Sequence, residues 1–96
     1  MKRIIGIGET ILDILFKDGQ PVKAVPGGSV FNSIVSLGRM GCNVALVSEV
    51  GGDRVGNMVV DFLATNGVGT SSVYRFRDAK SPVSLAFLDE NNDAEP

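Results

Sequence analysis

Two short apolar runs constrain this chain more than any other feature. One is Arg3–Gly8 (Arg-Ile-Ile-Gly-Ile-Gly); the other is Val44–Val50 (Val-Ala-Leu-Val-Ser-Glu-Val). Both are rich in β-branched residues, and the first is apolar on both faces of a pleat. A short continuous apolar run bounded by glycine suits a strand covered on both sides. Between the runs, Val30, Ile34 and Leu37, with Phe31 and Val35 beside them, repeat at helical spacing. That spacing predicts a helix over Val30–Met40, about three turns long. Ser29 stands where an N-cap belongs, and Gly41 where a C-terminal glycine belongs. A helix crossing over between two buried strands implies parallel pairing and an α/β sheet.

The remaining segments fill in the plan. Ile11–Phe16 is a second apolar run interrupted by Asp13, and Lys17-Asp18-Gly19-Gln20 follows it. Asp-Gly between β-rich runs signals a hairpin, with Pro21–Val25 as the return strand. Such a hairpin does not fit inside a parallel sheet and is expected to project as a flap. After Val44–Val50, Asp53 or Asn57 can cap a second helix carrying Met58, Val59, Phe62 and Leu63 on its apolar face, and Asn66-Gly67 stops it. Ser72–Phe76 and Val83–Leu88 read as strands, and Glu90-Asn91-Asn92-Asp93 as a turn. No linker, repeat or low-complexity tract marks a domain boundary. Ending at Ala94-Glu95-Pro96 leaves the sheet half-built with an open apolar edge, so a truncated chain is expected.

Composition excludes several classes of function. The chain is 96 residues long, one small domain or a piece of a larger one. With 44% apolar and 21% charged residues it matches ordinary soluble proteins rather than disordered ones. The net charge is -2, and the nine lysines and arginines are scattered, which speaks against nucleic acid as a partner. There is no histidine, so acid–base chemistry falls to carboxylates or to groups outside this chain. Cys42 is the single cysteine; it supports neither an internal disulfide nor a zinc site, and it reads as a buried thiol in a reducing cytoplasm. The apolar run after Met1-Lys2-Arg3 stops at Glu9, too early for a secretory signal, and nothing approaches the length of a membrane span.

Three constellations have chemical potential. Asp13 is a carboxylate inside an apolar strand, costly unless paired, bound to a ligand or wet. It is either a strong acceptor for polyol hydroxyls or an exposed residue on the wet face of a hairpin. Pro26-Gly27-Gly28-Ser29-Val30-Phe31-Asn32 places paired glycines before a helix N-terminus. There a ligand can approach free backbone N–H groups, and the Asn32 amide both donates and accepts; a plain tight turn with a cap explains the same residues. No Gly-Lys-Ser or Gly-Lys-Thr follows, so this is not a P-loop. Gly51-Gly52-Asp53-Arg54-Val55-Gly56 lacks the dinucleotide-loop spacing and reads as a strand-to-helix turn, with Asp53 still available to a ligand.

Together these stretches resemble the ribokinase-like (PfkB-type) carbohydrate kinases. The resemblance rests on Gly6-Ile7-Gly8-Glu9 with Asp13, Gly27-Gly28 with Asn32, Leu37-Gly38-Arg39-Met40-Gly41, and Val50-Gly51-Gly52-Asp53 with Gly56. It implies the N-terminal part of a three-layer α/β/α fold with a small β-hairpin lid, drawn from about 11–26 and from 82–96. It also implies a substrate pocket of Asp13, Gly27, Gly28 and Asn32, and ATP and magnesium (Mg2+) serving a transfer of the γ-phosphate to a sugar hydroxyl. Gly8-Glu9 and Ser29-Val30-Phe31 look most like fructokinase-type members. The family's catalytic aspartate lies in a Gly-x-Gly-Asp motif, and no such motif occurs in this sequence. No catalytic residue and no metal ligand is therefore expected in this chain, which alone should be inactive and should bind sugar weakly or not at all. A homodimer through lid strands is the expected assembly. The competing readings are a non-catalytic sugar-binding or interaction module, and a nucleotide-binding regulatory domain using Gly51-Gly52-Asp53.

Overall fold

Both apolar runs form strands and lie side by side. In the computed structural model, which describes residues 2–93, the chain begins with β1 (Ile4–Ile7), β2 (Ile11–Lys17), β3 (Gln20–Gly27) and α1 (Ser29–Arg39). It continues with β4 (Val44–Gly51), α2 (Arg54–Thr65), β5 (Val68–Gly69), β6 (Val73–Phe76) and β7 (Val83–Leu88). β1 pairs with β4 in parallel, from Ile4 opposite Val44 to Ile7 opposite Val47. β5 and β6 pair in parallel with successive stretches of β4. This is the body sheet implied by the helical crossovers.

The helices bury their apolar stripes against one face of it. Phe31, Ile34 and Val35 of α1 join Val44, Leu46 and Val50 of β4 and Val59 and Leu63 of α2 in one cluster. Phe31 is fully buried and stacks on Phe62, with ring centroids 5.9 Å apart. Cys42 packs half-buried at the margin of the cluster. Met58 does not belong to it: the side chain is 46% exposed. Each residue turns about 100° round a helix, which carries Met58 to the flank when Val59 faces the core.

α1 starts differently from expectation. Ser29 is the first helical residue, and Gly28 occupies the cap position with φ 127° and no side-chain cap. A methyl group on Gly28 would sit 2.6 Å from the Glu9 carbonyl oxygen. Backbone crowding and the positive φ therefore require glycine, and they leave no place for a capping serine. The other end follows the sequence: Gly41 has φ 86°, and the N–H groups of Gly41 and Cys42 donate to the carbonyls of Gly38 (3.0 Å) and Leu37 (3.1 Å).

A second, three-stranded sheet has the order β3-β2-β7. β2 and β3 form the hairpin, turning through Asp18 (φ 52°) and Gly19 (φ 75°), as the Asp-Gly pair demands. β3 lies at the edge, where Pro21 and Pro26 are tolerated without an N–H. β7 lies parallel to β2, from Leu12 opposite Val83 to Lys17 opposite Leu88. Residues 94–96, the end of the expected second lid segment, lie outside the described residues.

One carboxylate ties the two sheets together. Asp53 caps α2 through the Gly56 N–H, 2.8 Å from Oδ1. The same side chain accepts the Ser81 N–H at 2.9 Å and the Ser81 hydroxyl at 2.8 Å. The Ser81 hydroxyl in turn accepts the Gly51 N–H at 2.8 Å. Both carboxylate oxygens of Asp53 are thus engaged inside the protein. The Ser81 N–H, the Gly56 N–H and the Ser81 hydroxyl, in that order, hold its pKa at about 2, below the ordinary 3.8.

Two outcomes follow for stability. Phe31→Ala should cost roughly 3–5 kcal/mol in urea unfolding, the range for emptying a buried phenylalanine site. Because the folded-state pKa of Asp53 is depressed, its contribution is full above the ordinary 3.8 and disappears as pH falls through about 2. Unfolding midpoints measured between pH 6 and pH 2 should fall less steeply for Asp53→Asn than for the natural chain across that acid window.

Candidate functional site

Asp13 sits on β2, the middle strand of the smaller sheet, so neighbouring strands fix its backbone on both sides. It lies in register with Val25 on β3 and Ser84 on β7. Its side chain is half-buried amid apolar neighbours in sequence. Gly27 ends β3 and is buried. A methyl group built on Gly27 would lie 3.0 Å from Oδ2 of Asp13 and 3.9 Å from Oδ1 of Asn32. The space that a Gly27 side chain would fill is therefore flanked by a carboxylate and an amide. Asn32 projects from the first turn of α1, with its own N–H donating to the Gly28 carbonyl at 2.8 Å.

Three of the four expected residues, Asp13, Gly27 and Asn32, are thus brought together. Gly28 acts differently: its Cα faces the Glu9 carbonyl and Phe31. It lets the Gly8-Glu9-Thr10 turn close onto the start of α1.

That turn opens onto a cleft of about 800 Å³ at the carboxyl ends of β1 and β4. Ile7, Glu9, Thr10, Ser48, Phe76 and Lys80 are among the residues that line it. Ligands of open α/β sheets bind at this end of the strands. Thr10 is only 2% exposed. Its Oγ1 and the buried Oγ of Ser48 have no hydrogen-bond partner among the described residues. Burying an unpaired hydroxyl is costly, and two such hydroxyls lie beside this one cleft.

The sequence sets Thr10 beside Asp13 in Gly8-Glu9-Thr10, but nothing in it singles out Ser48 or Ser84; the folded chain brings Thr10 and Ser48 to one cleft. Ser84 meets Asp13 through a parallel pairing between segments some seventy residues apart, which local patterns do not encode. The arrangement offers acceptors, an amide and hydroxyls, suited to recognising a polyol. Among the described residues no cluster of three or more acidic, thiol or imidazole groups could hold a metal ion. No helix among them is long and apolar enough to cross a membrane.

Comparison with known proteins agrees with this geometry. The family model for pfkB family carbohydrate kinases matches residues 1–95. Probable fructokinase-7 of Arabidopsis thaliana is 30% identical over 99 residues, covering 96% of this chain and 28% of that protein. Ribokinase of Bacillus subtilis is 31% identical over 87 residues, covering 91% and 28%. The crystal structure of fructokinase from Xylella fastidiosa with bound ATP superposes with a TM-score of 0.83 at 27% identity, over 98% of this chain and 31% of that one. The chain therefore spans under a third of the length of these relatives. By the match of nearly its whole length to the family model, the chain belongs to the pfkB family of carbohydrate kinases.

Proposed function

We propose that this chain is the sugar-binding N-terminal part of an ATP-dependent sugar kinase that transfers the γ-phosphate of ATP to a hydroxyl of fructose or a related monosaccharide. The observation that carries the reading is the approach of the Asp13 carboxylate and the Asn32 amide to the space that a Gly27 side chain would fill. A sugar hydroxyl placed there donates to Asp13 and exchanges hydrogen bonds with Asn32. The cleft at the strand ends adjoins this group through Glu9 and Thr10, and its volume suits a small ligand. Several fructokinases and a ribokinase among the relatives support a neutral sugar.

In the longer parent enzyme ATP would bring the transferred group, and Mg2+ would balance its charge. No described acidic cluster here fits that metal, so its ligands are assigned to no residue of this chain. The 96 residues hold no Gly-x-Gly-Asp motif, and the reading assigns them recognition without transfer. A cytoplasmic location and a homodimer complete it. Support for the dimer comes from the smaller sheet, where Val83, Leu85 and Phe87 along β7 present one exposed apolar row.

Three outcomes test the reading. Fructose should shift the amide resonances of Asp13, Gly27 and Asn32, and Asp13→Asn should weaken that response about tenfold without lowering thermal stability. A response indifferent to Asp13 would move the sugar elsewhere. A coupled assay with ATP and fructose should find no turnover by the chain alone; turnover would overturn the division of labour. Light scattering should report a dimer that Leu85→Lys with Phe87→Lys converts to a monomer, and a monomeric natural chain would remove the pairing.

A further inference from the structure

The connector from β6 to β7 spans Arg77–Pro82 without regular structure. Ser81 is its one buried residue, 7% exposed, while its neighbours on both sides are exposed. The glycines of the body make room for it. A methyl group on Gly51 would lie 2.6 Å from the Ser81 nitrogen, and one on Gly56 would lie 3.1 Å from the Ser81 hydroxyl oxygen. Capping α2 needs a single oxygen of Asp53, and Oδ1 already takes the Gly56 N–H. Oδ2 is spent on the connector, where it accepts the Ser81 N–H. Directly after Ser81, the Pro82 carbonyl accepts the Leu12 N–H at 3.1 Å. β7 then runs beside β2, with Val83 opposite Leu12 and Ser84 opposite Asp13. Apolar packing holds β7 weakly, since Val83, Leu85 and Phe87 are 47%, 56% and 50% exposed. Hydrogen bonds to a carboxylate are stronger than neutral ones, so the Asp53–Ser81 latch supplies an anchor that the exposed strand lacks.

We infer that Asp53 and Ser81 are positioning residues for sugar recognition: their latch holds β7, and through it β2, in the orientation that keeps Asp13 and Asn32 flanking the space beside Gly27. Asp13 stands on the middle strand of the smaller sheet, between two fastenings to the body. On one side β3 continues through Gly27 into α1, which carries Asn32. On the other side β7 is fastened by Ser81. The first fastening places Asn32; the second fixes the angle at which the strand bearing Asp13 meets it. Neither Asp53 nor Ser81 touches the sugar in this scheme. Both act through β7 on a carboxylate that does. The part played by the sugar rests on the sugar-kinase reading; the latch rests on the bonds among Asp53, Ser81 and Gly51.

The experiment compares the natural chain with Ser81→Ala, Ser81→Thr and Asp53→Ser. Asp53→Ser keeps a hydroxyl to cap the Gly56 N–H but lacks the second oxygen that takes the Ser81 N–H, so α2 stays capped while the latch opens. Residual dipolar couplings of the backbone amides report the orientation of the smaller sheet relative to the body, with no ligand present. One alignment should describe both sheets in the natural chain and in Ser81→Thr. Ser81→Ala and Asp53→Ser should each require two. In those two variants the Leu12 amide should exchange about tenfold faster while the α1 amides keep their rates. Fructose should perturb the Asp13 and Asn32 resonances with about tenfold lower affinity in both, and Ser81→Thr should restore it. A single alignment in Ser81→Ala and Asp53→Ser overturns the inference. So does equal acceleration of the Leu12 and α1 amides, which would make the latch a matter of global stability alone. A fructose response that survives loss of the common alignment overturns it too. A natural chain with one alignment and no answer to fructose defeats the sugar-kinase reading instead; loss of that alignment in the two variants still sustains the placing of Asp13 by the latch.

Discussion

The contact between α1 and β1 fixes the positions of the other parts. Gly6 and Gly8 offer no side chains, so Val30 and Ile34 lie directly on the strand backbone. That close seating brings the start of α1 against the Gly8-Glu9-Thr10 turn, where Gly28 must be glycine. Once α1 is placed, Asn32 is placed with it, and Gly27 has to end β3 beside it. Asp13 then arrives through the hairpin pairing of β2 with β3. The grouping of Asp13, Gly27 and Asn32, drawn from three separate segments, thus depends on one apolar helix–strand contact.

Asp53 shows how a sequence motif can be read correctly as structure and still be misjudged in detail. The Gly-Gly-Asp turn ends a strand and caps a helix, as its residues suggest. Its carboxylate also holds Ser81, twenty-eight residues onward, and so fixes where the chain leaves the body for β7. Nothing around Ser81 in the sequence announces that partner.

The same boundary separates what was legible elsewhere. The strands at Arg3–Gly8 and Val44–Val50, the Asp-Gly turn and both helices are specified by local periodicity and turn chemistry, and they were read close to their observed bounds. Asp13, Gly27 and Asn32 were legible because each breaks a local rule: a charge in an apolar strand, paired glycines, an amide in a first helical turn. β5 was missed because two residues carry no periodicity. Ser29 was misassigned as a cap because the crowding by Glu9 is a tertiary event. Thr10 and Ser48 obey every local rule, and only burial without a partner sets them apart.

The chain crosses between the body and the smaller sheet along a single row. The chain enters it at Ile11, leaves at Gly27 directly opposite, and returns at Val83, where the Leu12 N–H meets the Pro82 carbonyl at 3.1 Å. Three crossings in line make an axle. At about 3.3 Å per residue, Asp13 stands some 7 Å from that axle, while the Asp18-Gly19 tip stands about 23 Å away. A rotation about it that swings the tip wide would displace the Asp13 carboxylate by under a third as much.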